Sequence, residues 1–198
     1  MSEQSRFALP YLAEIFGALS RGRHLCLDDG NLFVELREHE REFEELFQHL
    51  GYQMIADSRG FYYFHALDSQ STSPRTAKLA LFFLVLVEAL WEESSDINDL
   101  ESLLLDRSWS LGELPHLKRE RYLELMRQLD QEPDTETLRD LIRQLVYFGF
   151  AAWDGEERFR FRLPALRFLD IAREVAEGLE RTQNPEDVAM TADAEASA

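Results

Sequence analysis

The side chains of this chain with the most chemical potential are an arginine triplet and an aspartate pair. In Arg158-Phe-Arg-Phe-Arg162 cations alternate with phenylalanines. A β-strand here sends Phe159 and Phe161 to a core and Arg158, Arg160 and Arg162 to the opposite face, at intervals of about 7 Å. Guanidinium groups so spaced suit successive phosphates. Arg139 and Arg143 on the preceding helix and Arg167 just beyond complete a candidate DNA-contact set; pairing with local acids such as Glu156 and Glu157 is the alternative. Asp28-Asp29 resembles paired catalytic carboxylates only superficially, because adjacent turn residues diverge and turn capping explains them better. His24, His39, His49, His65 and His116 lack metal-ligand spacing, and Cys26 has no second thiol. No Gly-rich phosphate loop or nucleophile elbow occurs. The expectation is binding without catalysis: no catalytic residue, no metal and no cofactor.

Charge narrows what is bound. A net charge of −17 repels duplex phosphate overall, so any nucleic-acid contact must come from a local basic patch. One cysteine cannot form an internal disulfide, and the acidic start Met1-Ser-Glu-Gln lacks the basic and apolar regions of a signal peptide. The cytoplasm is the expected compartment. With 45% hydrophobic residues in 198, the chain can build one sizeable core or two small ones.

The elements that must position these side chains read as two similar runs. Helical spacing begins near Phe7 and breaks at Arg21-Gly22-Arg23; a short strand, His24 to Leu27, follows. Asp28-Asp29-Gly30 leads into a helix with Leu32, Phe33 and Leu36 inward. A third helix, from about Glu38, carries Phe43, Leu46, Phe47 and Leu50 and stops at Gly51. Tyr52 to Ala56 and Phe61 to His65 read as a hairpin. Helix, strand, helix, helix, hairpin is the winged-helix order. After the linker Asp68 to Ser73 comes Pro74 to Trp91, apolar on every side; Lys78, Glu88 and Glu92-Glu93 make it a buried core helix and not a membrane span. It is expected to hold the two halves together, with its surplus apolar surface buried against the first unit or a partner. A short acidic helix (Asp96 to Asp106), a helix from Lys118 to Leu129, a helix capped by Asp134 or Thr135, the hairpin Phe150 to Trp153 with Arg158 to Leu163, and a last helix from Pro164 to about Leu179 complete the chain.

A shift of 98 residues carries Phe43, Phe47, Leu50, Gly51, Tyr52, Ile55, Phe61 and Tyr63 onto Leu141, Leu145, Phe148, Gly149, Phe150, Trp153, Phe159 and Phe161. The reading is a mainly α fold with small β-hairpins (α+β), in tandem winged-helix domains. An N-terminal winged helix spans 1–70 and a C-terminal one 71–181, with a disordered acidic tail over 182–198. The third helix of the first unit carries Glu38, Glu40, Glu42, Glu44 and Glu45, which opposes insertion into a DNA groove. A winged-helix transcription regulator is therefore the runner-up reading.

Ile15-Phe-x-x-Leu-x-x-Gly-Arg-x-Leu, Asp28-Asp29-x-Asn31-Leu32-Phe33-x-x-Leu36, Phe47-x-x-Leu50-Gly51-Tyr52 and Arg59-Gly60-Phe61-Tyr62-Tyr63-Phe64 together resemble the start of the MukE/MksE proteins, most closely the MksE branch. The resemblance implies a non-catalytic homodimer that binds a kleisin (MksF-like) and, through it, an SMC ATPase (MksB-like). It also implies DNA as part of the complex, nucleoid association, and a role in chromosome segregation or plasmid defence. The first unit is then associated with dimerisation and the second with kleisin and DNA.

Overall fold

The computed structural model describes residues 9–65, 74–94, 97–128 and 134–170. The expected helix start at Phe7, the Asp68–Ser73 linker with the Ser73 cap, the extension of the last helix to Leu179 and the acidic tail 182–198 lie outside these residues. The fold is mainly helical with two small antiparallel sheets of three strands. Two separate apolar clusters form, one from residues between Ile15 and Tyr62 and one from residues between Leu79 and Leu169.

The first cluster is enclosed by α1 (Leu12–Ser20), α2 (Asn31–Glu38), α3 (Glu40–His49) and a sheet of β1 (Leu25–Cys26), β2 (Gln53–Asp57) and β3 (Phe61–His65) in the order β1-β3-β2. Helix α1 begins later than the spacing indicates, at Leu12, because Tyr11 takes a left-handed conformation (φ 56°) just after Pro10. Ile15, Ala18, Leu19, Phe33, Leu36, Phe43 and Phe47 are buried at the helical intervals expected of amphipathic faces.

The second cluster is enclosed by α4 (Pro74–Glu93), α5 (Ile97–Leu105), α6 (Glu120–Gln128), α7 (Thr135–Tyr147) and a sheet of β4 (Trp109–Ser110), β5 (Ala151–Trp153) and β6 (Arg158–Phe161) in the order β4-β6-β5. Asp134 caps α7, accepting the Thr137 N–H at 2.7 Å. Phe82, Phe83, Leu86 and Leu90 of α4 are buried, with Phe83 5.3 Å from Phe161, while Leu84 and Trp91 on the other side are about half exposed. Among the described residues no helix is long and apolar enough to cross a membrane. A 3-10 turn over Leu163–Ala165 leads into helical residues 166–170.

The internal repeat holds through the helix and its glycine and then slips by one residue. Tyr52 N–H bonds the Phe47 carbonyl as Phe150 N–H bonds that of Leu145, both at 2.9 Å, so the shift of 98 is correct to that point. In the hairpins, Met54 pairs with Phe64 and Ala56 with Tyr62, whereas Ala151 pairs with Phe161 and Trp153 with Phe159. Those pairs correspond at a shift of 97. A one-residue slip moves every strand side chain to the other face. Tyr62 and Phe64 are therefore the counterparts of Phe159 and Phe161; Phe61 and Tyr63 point away from the first core.

Candidate functional site

The outward face of the first sheet is where the two units meet. Phe61 is fully buried there without belonging to either core. His24 stacks on Tyr63 at 5.1 Å and meets Phe150 of the second unit at 4.4 Å. Arg167 lies 3.9 Å over the Tyr63 ring, and its Nη1 is 2.6 Å from His24 Nε2. His24 N–H donates to the Phe148 carbonyl at 2.9 Å. Beside it Gly149, at φ +82°, leaves no room: a Cβ there would lie 2.3 Å from the His24 carbonyl oxygen.

Two arginine clasps flank this contact. Arg162 donates from Nε to Asp28 Oδ2 at 3.1 Å and from Nη2 to Asp29 Oδ2 at 2.5 Å; the same Nη2 lies 3.1 Å from Cys26 Sγ. Asp29 also accepts the Cys26 N–H at 2.9 Å and Arg23 Nη2 at 2.8 Å. Burial raises the Asp29 carboxyl, but the Cys26 N–H, Arg162 and Arg23 outweigh it and leave its pKa below the usual value. Burial likewise disfavours the Arg162 charge, and Asp29 more than compensates. On the other flank, Arg59 donates to Asp57 at 2.8 Å and reaches Asp170 of the second unit at 2.7 Å. The Arg59 hydrogen bond is the largest cause of the lowered Asp57 pKa.

These contacts correct three expectations. Arg162 does share the strand face of Arg158 and Arg160, but it stands where that face enters the junction; it is 5% exposed and neutralised by carboxylates. Asp28 and Asp29 converge on one guanidinium instead of diverging, although Asp29 also caps its turn as expected. The described contacts join the halves through His24, Phe150 and the arginine clasps rather than through α4, whose Leu84 and Trp91 stay about half exposed.

The other arginines of the candidate set are dispersed. Arg158 is exposed and donates to Ser108 Oγ at 3.1 Å; Arg160 is exposed with no partner among the described residues. Arg139 pairs with Glu136 at 2.9 Å and with Glu157 at 3.3 Å across a shallow groove that Trp153 also lines. Arg143 pairs with Asp140 at 2.7 Å. Arg167 belongs to the junction. The surface left for an anion is thus Arg158 and Arg160, with Arg139 and Arg143 in exposed pairs worth only about 0–1 kcal/mol each to break.

Elsewhere, Glu35, Glu38 and His39 bring potential ligand atoms within 4.8 Å of one another at the α2–α3 turn, where His39 is 3.6 Å from Glu35 and 3.8 Å from Glu42. Glu35 is largely buried and its Oε1 makes no hydrogen bond among the described residues, while His39 and Glu42 are more exposed; imidazole–carboxylate contacts of this length are ordinary helix-end pairing. His116 is buried, stacked on Phe82 at 4.4 Å with Nε2 2.9 Å from the Phe82 carbonyl oxygen. The sequence reading missed His24, Arg59 and Asp170 as junction residues; the one available signal was the surplus of aromatics in Phe61-Tyr62-Tyr63-Phe64, which exceeds what one sheet face can bury.

A family model of the condensin complex protein MksE matches residues 10–173, both units and the junction between them. The chain belongs to the MksE family. It is accordingly a condensin accessory subunit, from a family without catalytic function. No curated protein gives a significant match.

Proposed function

We propose that this MksE-family chain binds the kleisin of a bacterial SMC-like condensin, and through it the MksB-like ATPase, as a homodimer of tandem winged-helix subunits. It acts in the cytoplasm on the nucleoid, in chromosome organisation or plasmid defence, and its second unit adds a salt-sensitive DNA contact. The observation that carries this reading is the family match across residues 10–173. Geometry supports a binding role: two units docked through a built junction, each with a helix–hairpin corner, and exposed apolar side chains on both.

The DNA contact falls to Arg158 and Arg160, since Arg162 is committed to Asp28 and Asp29. Reconstitution with the MksF-like kleisin and the MksB-like ATPase tests the main claim, with a stable three-component complex as the expected result. In that complex, Arg158→Gln with Arg160→Gln should reduce the slope of log K against log salt for duplex DNA by about 2. Kleisin affinity should stay constant. An unchanged slope removes these arginines from DNA contact, and tight binding of the isolated chain to one operator sequence favours a transcription regulator.

A further inference from the structure

The joint between the units covers one end of the arginine face. Arg158 and Arg160 are exposed, while Arg162, next on the same side, is buried with Nε on Asp28 and Nη2 on Asp29 of the first unit. Two carboxylates on one guanidinium present the anionic oxygens that a phosphate would. They fill the third place in a row whose other two places are open. The cover is also separable. Cys26 pairs with Phe61 across β1 and β3 and shares its face of the first sheet; both are buried, and neither belongs to either core. The second unit hides them, with Arg162 Nη2 3.1 Å from Cys26 Sγ. The ties across the joint are polar: Arg162 to Asp28 and Asp29, Arg59 to Asp170, Arg167 to His24 and the His24 N–H to the Phe148 carbonyl, with ring contacts at His24 and Tyr63. Units with separate cores and a polar interface move as bodies.

We propose that the joint is an autoinhibitory contact, in which Asp28 and Asp29 hold Arg162 in the place of phosphate. Duplex DNA exchanges them for its own phosphates as the units part, and Arg162 then joins Arg158 and Arg160. This device presupposes the DNA contact of Arg158 and Arg160 and adds its regulation. With the joint closed the first unit covers Arg162, so a phosphate reaches it only in the open form. There the guanidinium is paired by phosphate, Asp28 meets water, and Asp29 keeps Arg23 and the Cys26 N–H. No charge is left buried and unpaired, which is the costly outcome for a broken ion pair. Linkage runs both ways: whatever loosens the clasp tightens DNA binding, and DNA opens the joint by the same factor.

The chain carries its own probe. Cys26 is its one cysteine and is sealed by the joint, so attack by a thiol reagent reports opening. In the reconstituted condensin complex, labelling of Cys26, followed by mass spectrometry of this subunit, should be at least ~5-fold faster with saturating duplex DNA than without it. Asp28→Asn alters a side chain that is 47% exposed. It should speed labelling without DNA and tighten duplex binding about 5-fold. In an Arg162→Gln background the same change should leave affinity within ~2-fold, which separates release of Arg162 from the mere loss of a negative charge. Arg162→Gln alone should lower the slope of log K against log salt by about 1. Labelling that DNA leaves unchanged or slows overturns the autoinhibition, as does an Asp28→Asn gain that persists without Arg162 or a slope that Arg162→Gln leaves unchanged. In each of these cases the DNA reading stands if Arg158→Gln with Arg160→Gln still lowers the slope. A wild-type complex that binds no duplex overturns both.

Discussion

Gly51 and Gly149 end equivalent helices with the same left-handed backbone, both at φ +82°, yet they answer to different constraints. Around Gly51 the space is open, so glycine is needed there only for its dihedral angle. At Gly149 the other unit's backbone occupies the volume a methyl group would fill. One local motif thus serves as a helix cap in the first unit and as a helix cap plus docking face in the second. Burial and partner geometry, not local conformation, make the second corner a joint.

The largest effect expected is for Gly149→Ala. It combines left-handed strain of about 1–2 kcal/mol with loss of the His24–Phe148 hydrogen bond and displacement of His24, another 1–3 kcal/mol or so. Denaturant unfolding should show a loss of about 3–4 kcal/mol, far beyond the same change at Gly51. Equal losses at the two glycines would mean that the close approach to His24 contributes nothing.

Arg162→Ala comes next. It leaves Asp29 buried with only Arg23 as a charged partner, and removing one member of a buried pair costs roughly 3 kcal/mol. Since Arg158→Ala removes an exposed side chain bonded only to Ser108 among the described residues, its cost should stay within about 0.5 kcal/mol. The double variant Asp28→Asn with Asp29→Asn should recover part of the Arg162→Ala loss, because neutral amides need no cation. No recovery would show that the guanidinium acts by filling space.

The fate of Arg162 marks how far the sequence could be read. Strand alternation, helix periodicity, the Asp134 cap and the two helix-ending glycines are local properties, and each was legible from residue type and spacing. The face of an alternating strand is also local, so spacing alone puts Arg158, Arg160 and Arg162 on one side of the strand. Whether another part of the chain covers that face is not local. Asp28 lies more than 130 positions from Arg162, and nothing in either neighbourhood encodes their meeting. The hairpin slip escaped for a related reason: Phe61-Tyr62-Tyr63-Phe64 is aromatic on both faces, so a shift by one residue leaves the apolar pattern intact. Aromatics on both faces of a two-sided strand were themselves the trace of a joint.

Acid separates the joint from the core of the second unit. His24 is held near pKa 4 by burial and then by Arg167, against hydrogen bonding from the Phe148 and Gly22 backbone and the pull of Asp57; His116 is held near 4 by burial. Both folded values lie below the free value of 6.5, so the unfolded chain takes up protons first. Their contribution to stability is complete above pH 6.5 and is lost as pH falls toward 4, by up to about 3 kcal/mol for each ring. The lowered Asp29 and Asp57 act only below about pH 4, where the unfolded carboxylates begin to protonate. Urea unfolding at pH 7, 5.5 and 4.5 should show the histidine loss. His24→Gln, whose amide oxygen can still accept from Arg167, should halve it. A pH dependence unchanged in that variant would mean that His24 is solvated.

The smallest effect completes the comparison. Gly51→Ala forces an L side chain to φ +82° in open space, and its cost should be only about 1 kcal/mol, the left-handed penalty partly offset by a stiffer unfolded chain. The methyl group that at Gly149 would collide with the His24 carbonyl oxygen meets nothing within 4 Å at Gly51, so the losses at the two corners should differ by about 2–3 kcal/mol. If denaturant unfolding gives Gly51→Ala a loss of only ~1 kcal/mol, Gly51 is a helix cap and no more, and the likeness between the two corners ends at the backbone; a loss of ~3 kcal/mol would mean that its corner is packed in the folded chain.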